Sequence, residues 1–424
     1  MSFGADDLDQ LIGAGREERS RTRRRRARAA LGVSFGVLVV WLVYVTAAGQ
    51  WGRVADHWAS ALTMVAGSFV AGSTPQGGGA VAFPVFTKVL SIDTSVARTF
   101  SLCIQTVGMT AASLSIIIQR RTVEWRAVAV AAPVAVVSFL LSAILLGDGD
   151  APFWPSRLPG AYVKVTFTLI VAAMAVIVWL GYRVQILERV EAMSTGGPRI
   201  RTALVLGAVL GGLASSLTGS GADVIVYLVV VVVIGLSPKV GVPTSVIVMT
   251  CVSIAGFVLY GLVDGQLSVT VVDGTVTHVG GDAVAAVDSA AVFGNGAALP
   301  ADRFDLFGLW LAAAPVVAFG APLGAWVSSL VTDRQLVRFV VGLAVAETVS
   351  TIVFLDGLLV DPDPALIAYA VIGGVVMVAG LNALKRNRRR ILGLPGVDTA
   401  SPFTRERLDV GARFRDDLDK GADS

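Results

Sequence analysis

The sequence predicts an all-α polytopic membrane protein built as an inverted repeat. Each of its two units is a re-entrant or broken helical hairpin followed by three transmembrane helices, and one further transmembrane helix lies at each end. Three observations lead there. The 424 residues are 54% hydrophobic and only 15% charged, with a mean hydropathy of +0.74, whereas soluble domains carry about 25% charged residues. Apolar runs such as 31–49, 123–147 and 366–384 approach the ~20 residues that cross a bilayer. Two longer apolar stretches, 59–90 and 202–236, are interrupted by glycine, serine, threonine and proline.

Residues 1–30 form a basic tail with an arginine block from Arg16 to Arg28, for which no fold is expected. Residues 31–58 hold the N-terminal span and a short connection. Repeat unit 1 occupies 59–201, with its broken stretch at 59–90 and spans at 93–118, 124–147 and 160–183. Repeat unit 2 occupies 202–356, with its broken stretch at 202–236 and spans at 240–263, 304–331 and 334–356. Its polar insert, 264–303, alternates over Leu267 to Val279 around Asp273-Gly274, which predicts an extracytoplasmic β-hairpin. Residues 357–390 hold the C-terminal span, 364–384, and a KRNRRR run, and 391–424 form a second polar tail.

Each break, at 72–79 and at 215–221, leaves apolar arms of about 14 residues, half of a membrane crossing. Non-helical backbone survives at that depth only under a cover of protein or beside a water-filled cavity. Charge decides between a single crossing and a return. If each stretch crossed once, Arg120, Arg121, Arg126, Arg183, Arg189, Arg199 and Arg201 would face outward, against the positive-inside tendency. If each returns to its own side, they join Lys239, Arg334 and Arg338 inside, and the acidic connections fall outside. Eight full spans and two hairpins result, with both termini cytoplasmic in a plasma membrane. The two units then enter from opposite sides. Gly78 with Gly221, VARTFS at 96–101 with GVPTSV at 241–246, and Lys164 with Arg338 echo one another in order.

The basic clusters abut spans, so their expected partners are anionic lipid head groups and not nucleic acid. Their length and the absence of a small-residue cleavage site argue against a signal peptide. Cys103 and Cys251 sit in apolar segments and read as core residues. The two histidines, His57 and His278, lie in polar connections, so no metal site, cofactor or histidine-based catalysis is expected.

Broken helices in inverted repeats are the plan of secondary transporters, with substrate held near the midplane. Free backbone N–H groups at such breaks favour an anion. Ser73, Thr74, Gln76, Gly77 and Gly78 would form one half of the site, and Thr218, Ser220 and Gly221 the other. Arg98, Thr99, Ser101, Gln105, Thr244 and Ser245 follow on the next spans. The competing reading is that these small residues only permit tight helix packing, the role expected of Gly207-x-x-x-Gly211 and Gly320-x-x-x-Gly324.

Charges at membrane depth are functional or paired. Glu347 is a candidate for proton coupling or for pairing with a buried cation. Asp223 is open between a protonation site, a cation ligand and a partner for a basic residue. Lys88 and Lys239 are expected to snorkel to the interface.

The residues VAGSTPQGGGAVAFPVF at 70–86, GGLASSLTGSGADVIVYLVVVVVIGLSPKVGVPTS at 211–245 and GAPLGAWVSSLVTDRQLVRFVVGLAV at 320–345 resemble the TauE/SafE family of sulfite and organosulfonate exporters, over roughly 59–356. The family pattern is a G-x-G-G-G break, an apolar run ending in L-G-x-S-P-K, and a T-S pair. Gly235 to Lys239 and Thr244-Ser245 follow it closely, and Ser220-Gly221-Ala222-Asp223 departs from it. The resemblance implies a permease for sulfite or sulfonates coupled to an ion gradient, with a small-anion partner. The alternatives are a cation or carboxylate transporter using Asp223 and Glu347, or an intramembrane enzyme, for which no nucleophile and base pair. The oligomeric state stays open, a homo-oligomer included.

Overall fold

The computed structural model describes residues 5–90, 92, 94–145, 159–185, 197–263, 265–268, 270–272, 275–279, 282–288, 305–355, 358 and 362–392. A long helix α1 (Ala5–Ala47) leads through the short α2 (Trp51–Asp56) to the first hairpin. That hairpin is α3 (Trp58–Ser73), a break, and α4 (Gly79–Pro84), which widens into a π-helical turn over Val85–Val89. Then come α5 (Thr94–Ile118), α6 (Trp125–Leu145) and α7 (Gly160–Gln185). The second hairpin is α8 (Pro198–Thr218), a break, and α9 (Ala222–Leu228), again widening into a π turn over Val229–Val233. It is followed by α10 (Pro238–Gly256), α11 (Leu306–Ser328), α12 (Asp333–Phe354) and α13 (Pro364–Leu392).

Packing is reciprocal between the halves. The arm α3 lies along α11 while α8 lies along α6, α5 faces α10, and α7 faces α12. Bare backbone sets the closest crossings. A Cβ on Gly320 would strike Ser68, one on Gly324 the Phe69 carbonyl, and one on Gly212 the Ala135 carbonyl. Gly320-x-x-x-Gly324 is thus a packing motif, as expected. Gly207 and Gly211 instead face Val229 and Ala222 of their own hairpin. Together with Gly221 against Ala214, these contacts join residues equidistant from the break, so α9 runs back along α8.

Among the described residues, seven helices are long and apolar enough to cross a membrane. Their outer faces carry exposed apolar side chains such as Phe35, Val40, Val137, Leu141, Val349 and Val353, as lipid contact requires. Exposed Trp51, Trp58 and Trp125 begin helices, where indoles favour the membrane interface.

Three sequence expectations change. The basic tail is helical from Ala5 and continuous with the first span, because alanine, arginine and glutamate are strong helix formers whatever their charge. The arm α8 is not a half-length piece. Pro198 starts it, favoured at a first helical position, and its 21 residues extend about 31 Å. The insert holds three antiparallel strands, β1 (Thr270–Val272), β2 (Thr275–Val279) and β3 (Asp282–Asp288), with Val272 opposite Thr275 and Val279 opposite Asp282. Arg189, Asp148 to Asp150 and the tail beyond Leu392 lie outside the described residues.

Candidate functional site

The first break follows from its own sequence. Pro75 has no N–H to continue α3, and Gly77 takes φ 65°, a left-handed conformation natural only to glycine. Thr74 Oγ1 donates to the Val70 carbonyl at 3.0 Å and accepts from Gln76 N at 3.3 Å, closing the last turn. At the second break Gly219 (φ 75°) ends α8 as a left-handed cap, and Gly221 has φ 147°. Thr218 Oγ1 donates to the Ala214 carbonyl at 3.0 Å and the Ser220 carbonyl at 2.5 Å. The first amides of α9 are already held. Ala222 N donates to Ser215 Oγ at 2.9 Å, and Gly221 N and Val224 N donate to Asp223 Oδ1 at 3.2 and 2.9 Å.

The two breaks meet. Ser220 Oγ stands 3.5 Å from the Gln76 carbonyl and 3.5 Å from Asp223 Oδ1. Helix α5 lies beside both, presenting Arg98, Ser101 and Gln105 at spacings of three and four, hence on one face. Gln105 Nε2 donates to Ser101 Oγ at 2.7 Å and to the Gly219 carbonyl at 3.0 Å, and Ser101 Oγ donates to that carbonyl at 3.3 Å. Gln76 Nε2 reaches the Val340 carbonyl of α12 at 3.2 Å. The Arg98 guanidinium lies 5.2 Å from the centre of the Tyr260 ring.

These site residues are at most 3% exposed. The adjoining cavity, bordered by Met64, Ser68, Gly78, Gln105 and Val317, measures about 10 Å³, room for about one water. The conformation is occluded. Even so, four buried polar atoms lack partners: Gln76 Oε1, Gln105 Oε1, Asp223 Oδ2 and Arg98 Nε. Such atoms cost about 1–3 kcal/mol each when left unmade.

Other expected site residues lie elsewhere. Thr99 Oγ1 donates to Gln266 Oε1 at 2.8 Å, toward the insert. Thr244 Oγ1 donates to the Val240 carbonyl at 2.7 Å and accepts from Glu124 N at 3.0 Å, serving the start of α6. Ser245 Oγ donates to the Val242 carbonyl at 3.1 Å, and Ser73 Oγ stays on its own turn with Val70.

Glu347 stands in a separate cluster. Its Oε1 accepts from Lys88 Nζ at 3.1 Å, Thr168 Oγ1 at 3.1 Å and Thr351 Oγ1 at 3.3 Å, and its Oε2 from Ser350 Oγ at 3.3 Å. The Lys88 and Glu347 side chains are 1% and 2% exposed, so the snorkelling expected of Lys88 is wrong. Its π turn, following Pro84 inside the return arm, aims the ammonium at α12, where a carboxylate awaits it. Lys239 is exposed. Sequence reasoning put Ser215 at the start of the second break but gave it no role, whereas its hydroxyl holds the first amide of α9. It missed the Arg53–Asp305 ion pair that, with His57, ties the first connection to the start of α11.

Comparison with curated proteins and with solved structures returns no match. The sequence model of the family described as sulfite exporter TauE/SafE matches residues 59–351, from the first turn of α3 into the last turn of α12, both breaks included. Covering well over half of the chain, that match shows that the protein is a membrane protein belonging to the sulfite exporter TauE/SafE family.

Proposed function

We propose that the chain is a secondary transporter of small sulfur-containing anions, sulfite and organosulfonates, held near the bilayer midplane where the two broken hairpins meet. One observation carries the reading: both breaks and the polar face of α5 converge in a buried interior, and Arg98 on that face, its guanidinium against the Tyr260 ring, is a buried cation with an unpartnered N–H. A guanidinium N–H suits an oxyanion, and the Thr74 and Ser220 hydroxyls and the Gly77-Gly78 backbone would complete the shell once the hairpins part. The reciprocal packing of α3 on α11 and α8 on α6 supports inverted repeats that rock about a central site. The hairpin topology, with cytoplasmic termini in the plasma membrane, belongs to the same reading. Cysteine placed at position 190 then labels from the cytoplasm.

The deciding experiment is sulfite uptake by purified protein in liposomes. Arg98→Gln, folded as judged by its melting curve, should lower uptake at least about tenfold, the loss of one charge-assisted contact. Unchanged uptake would refute the site. A second reading, with a cation as cargo, is favoured by the three unpartnered oxygens. It predicts gradient-driven cation flux without sulfite.

A further inference from the structure

We infer that the space beside Gly77, between the two breaks, binds one dehydrated monovalent cation of the sodium class. Asp223 Oδ2, Ser220 Oγ and Gln105 Oε1 stand 2.7, 3.2 and 3.4 Å from a single point, the place where a Cβ on Gly77 would sit. Gly77 cannot be replaced without filling that cradle, and its φ of 65° independently demands glycine.

The lining is short of donors. Asp223 Oδ2 and Gln105 Oε1 accept nothing, nor does the neighbouring Gln76 Oε1. Amide misassignment does not explain this. Gln105 Nε2 faces the Gly219 carbonyl and Gln76 Nε2 the Val340 carbonyl, so turning either amide would oppose two acceptors. Protonating Asp223 would supply a single donor, whereas a cation satisfies several oxygens at once. The charge fits as well. Asp223 is completely buried and has no ion-pair partner among the described residues, and one carboxylate among neutral oxygens matches a single positive charge. Among the described residues no three His, Cys, Asp or Glu gather to hold a metal ion, which disfavours a divalent ion. All-oxygen linings suit hard cations, and the ion would sit among these three oxygens, clear of the Gly77 Cα to which a Cβ would be bonded.

Binding stands without the transport reading; the cation's role as coupling ion rests on it. The test is saturable binding of radioactive sodium to the purified full chain, without sulfite, in sodium chloride against choline chloride at constant ionic strength. Wild type should bind one equivalent, with a melting temperature that rises along the same curve, and Asp223→Asn should weaken binding at least about tenfold. Should Asp223→Asn fail to fold, Gln105→Leu and competition on wild type by lithium and potassium provide the readout. No saturable sodium binding by wild type would overturn the proposal, whether a water or a proton fills the cradle. Binding unchanged in a folded Asp223→Asn would overturn it too. Sodium binding without any sulfite flux would leave the site standing and refute the function proposed above.

Discussion

Asp223 and Glu347 are both carboxylates buried at membrane depth, and their surroundings are opposite. Glu347 accepts from Lys88, Thr168, Thr351 and Ser350 and has no acceptor without a donor. Asp223 spends one oxygen on the amides that begin α9 and leaves the other bare. The first environment holds a charge in place, fastening the return arm of the first hairpin to α7 and α12. The second leaves an oxygen free, which the sodium ion inferred above would take up. A buried charge therefore marks function by what its neighbours leave unmade, and burial alone does not separate the two cases.

Substitutions sharpen the contrast. Glu347→Gln strands Lys88 as an unpaired buried cation, so thermal denaturation in detergent should show the largest loss, about 3–5 kcal/mol. Replacing the pair together, as Lys88→Met with Glu347→Leu, should recover much of it; a double variant as unstable as Glu347→Gln would contradict the pairing account. Asp223→Asn keeps the acceptor that holds the α9 amides, so its stability should move by less than about 1 kcal/mol, while sulfite flux into liposomes falls at least about tenfold. Thr168→Val removes one donor of several to Glu347 and should cost about 1 kcal/mol in the same melts, with flux per folded molecule unchanged.

How far the sequence revealed this depends on the range of each interaction. The breaks are local events, and Pro75, Gly77, Gly219 and Gly221 announce them directly. Gln76, Ser220 and Asp223, which sit on them, were legible for that reason. Gln105 was legible as a polar residue in an apolar span two turns beyond Arg98. The partner of Lys88 lies 259 residues away, and no local pattern tells an inward-pointing lysine from a snorkelling one. Thr244 and Ser245 looked alike in the motif but turn to the backbone of α10 and the start of α6. Helical phase and the neighbour across the interface decide that, and neither is written in the T-S pair. The basic tail misled because charge density suggests disorder, while its residues are individually good helix formers.

The most direct test of the account is paired measurement of sulfite flux and melting temperature on Asp223→Asn and Glu347→Gln. Asp223→Asn should melt like wild type and transport poorly, whereas Glu347→Gln should melt early and keep its flux per folded molecule. A stable but inactive Glu347→Gln beside an active Asp223→Asn would exchange the two roles and contradict it.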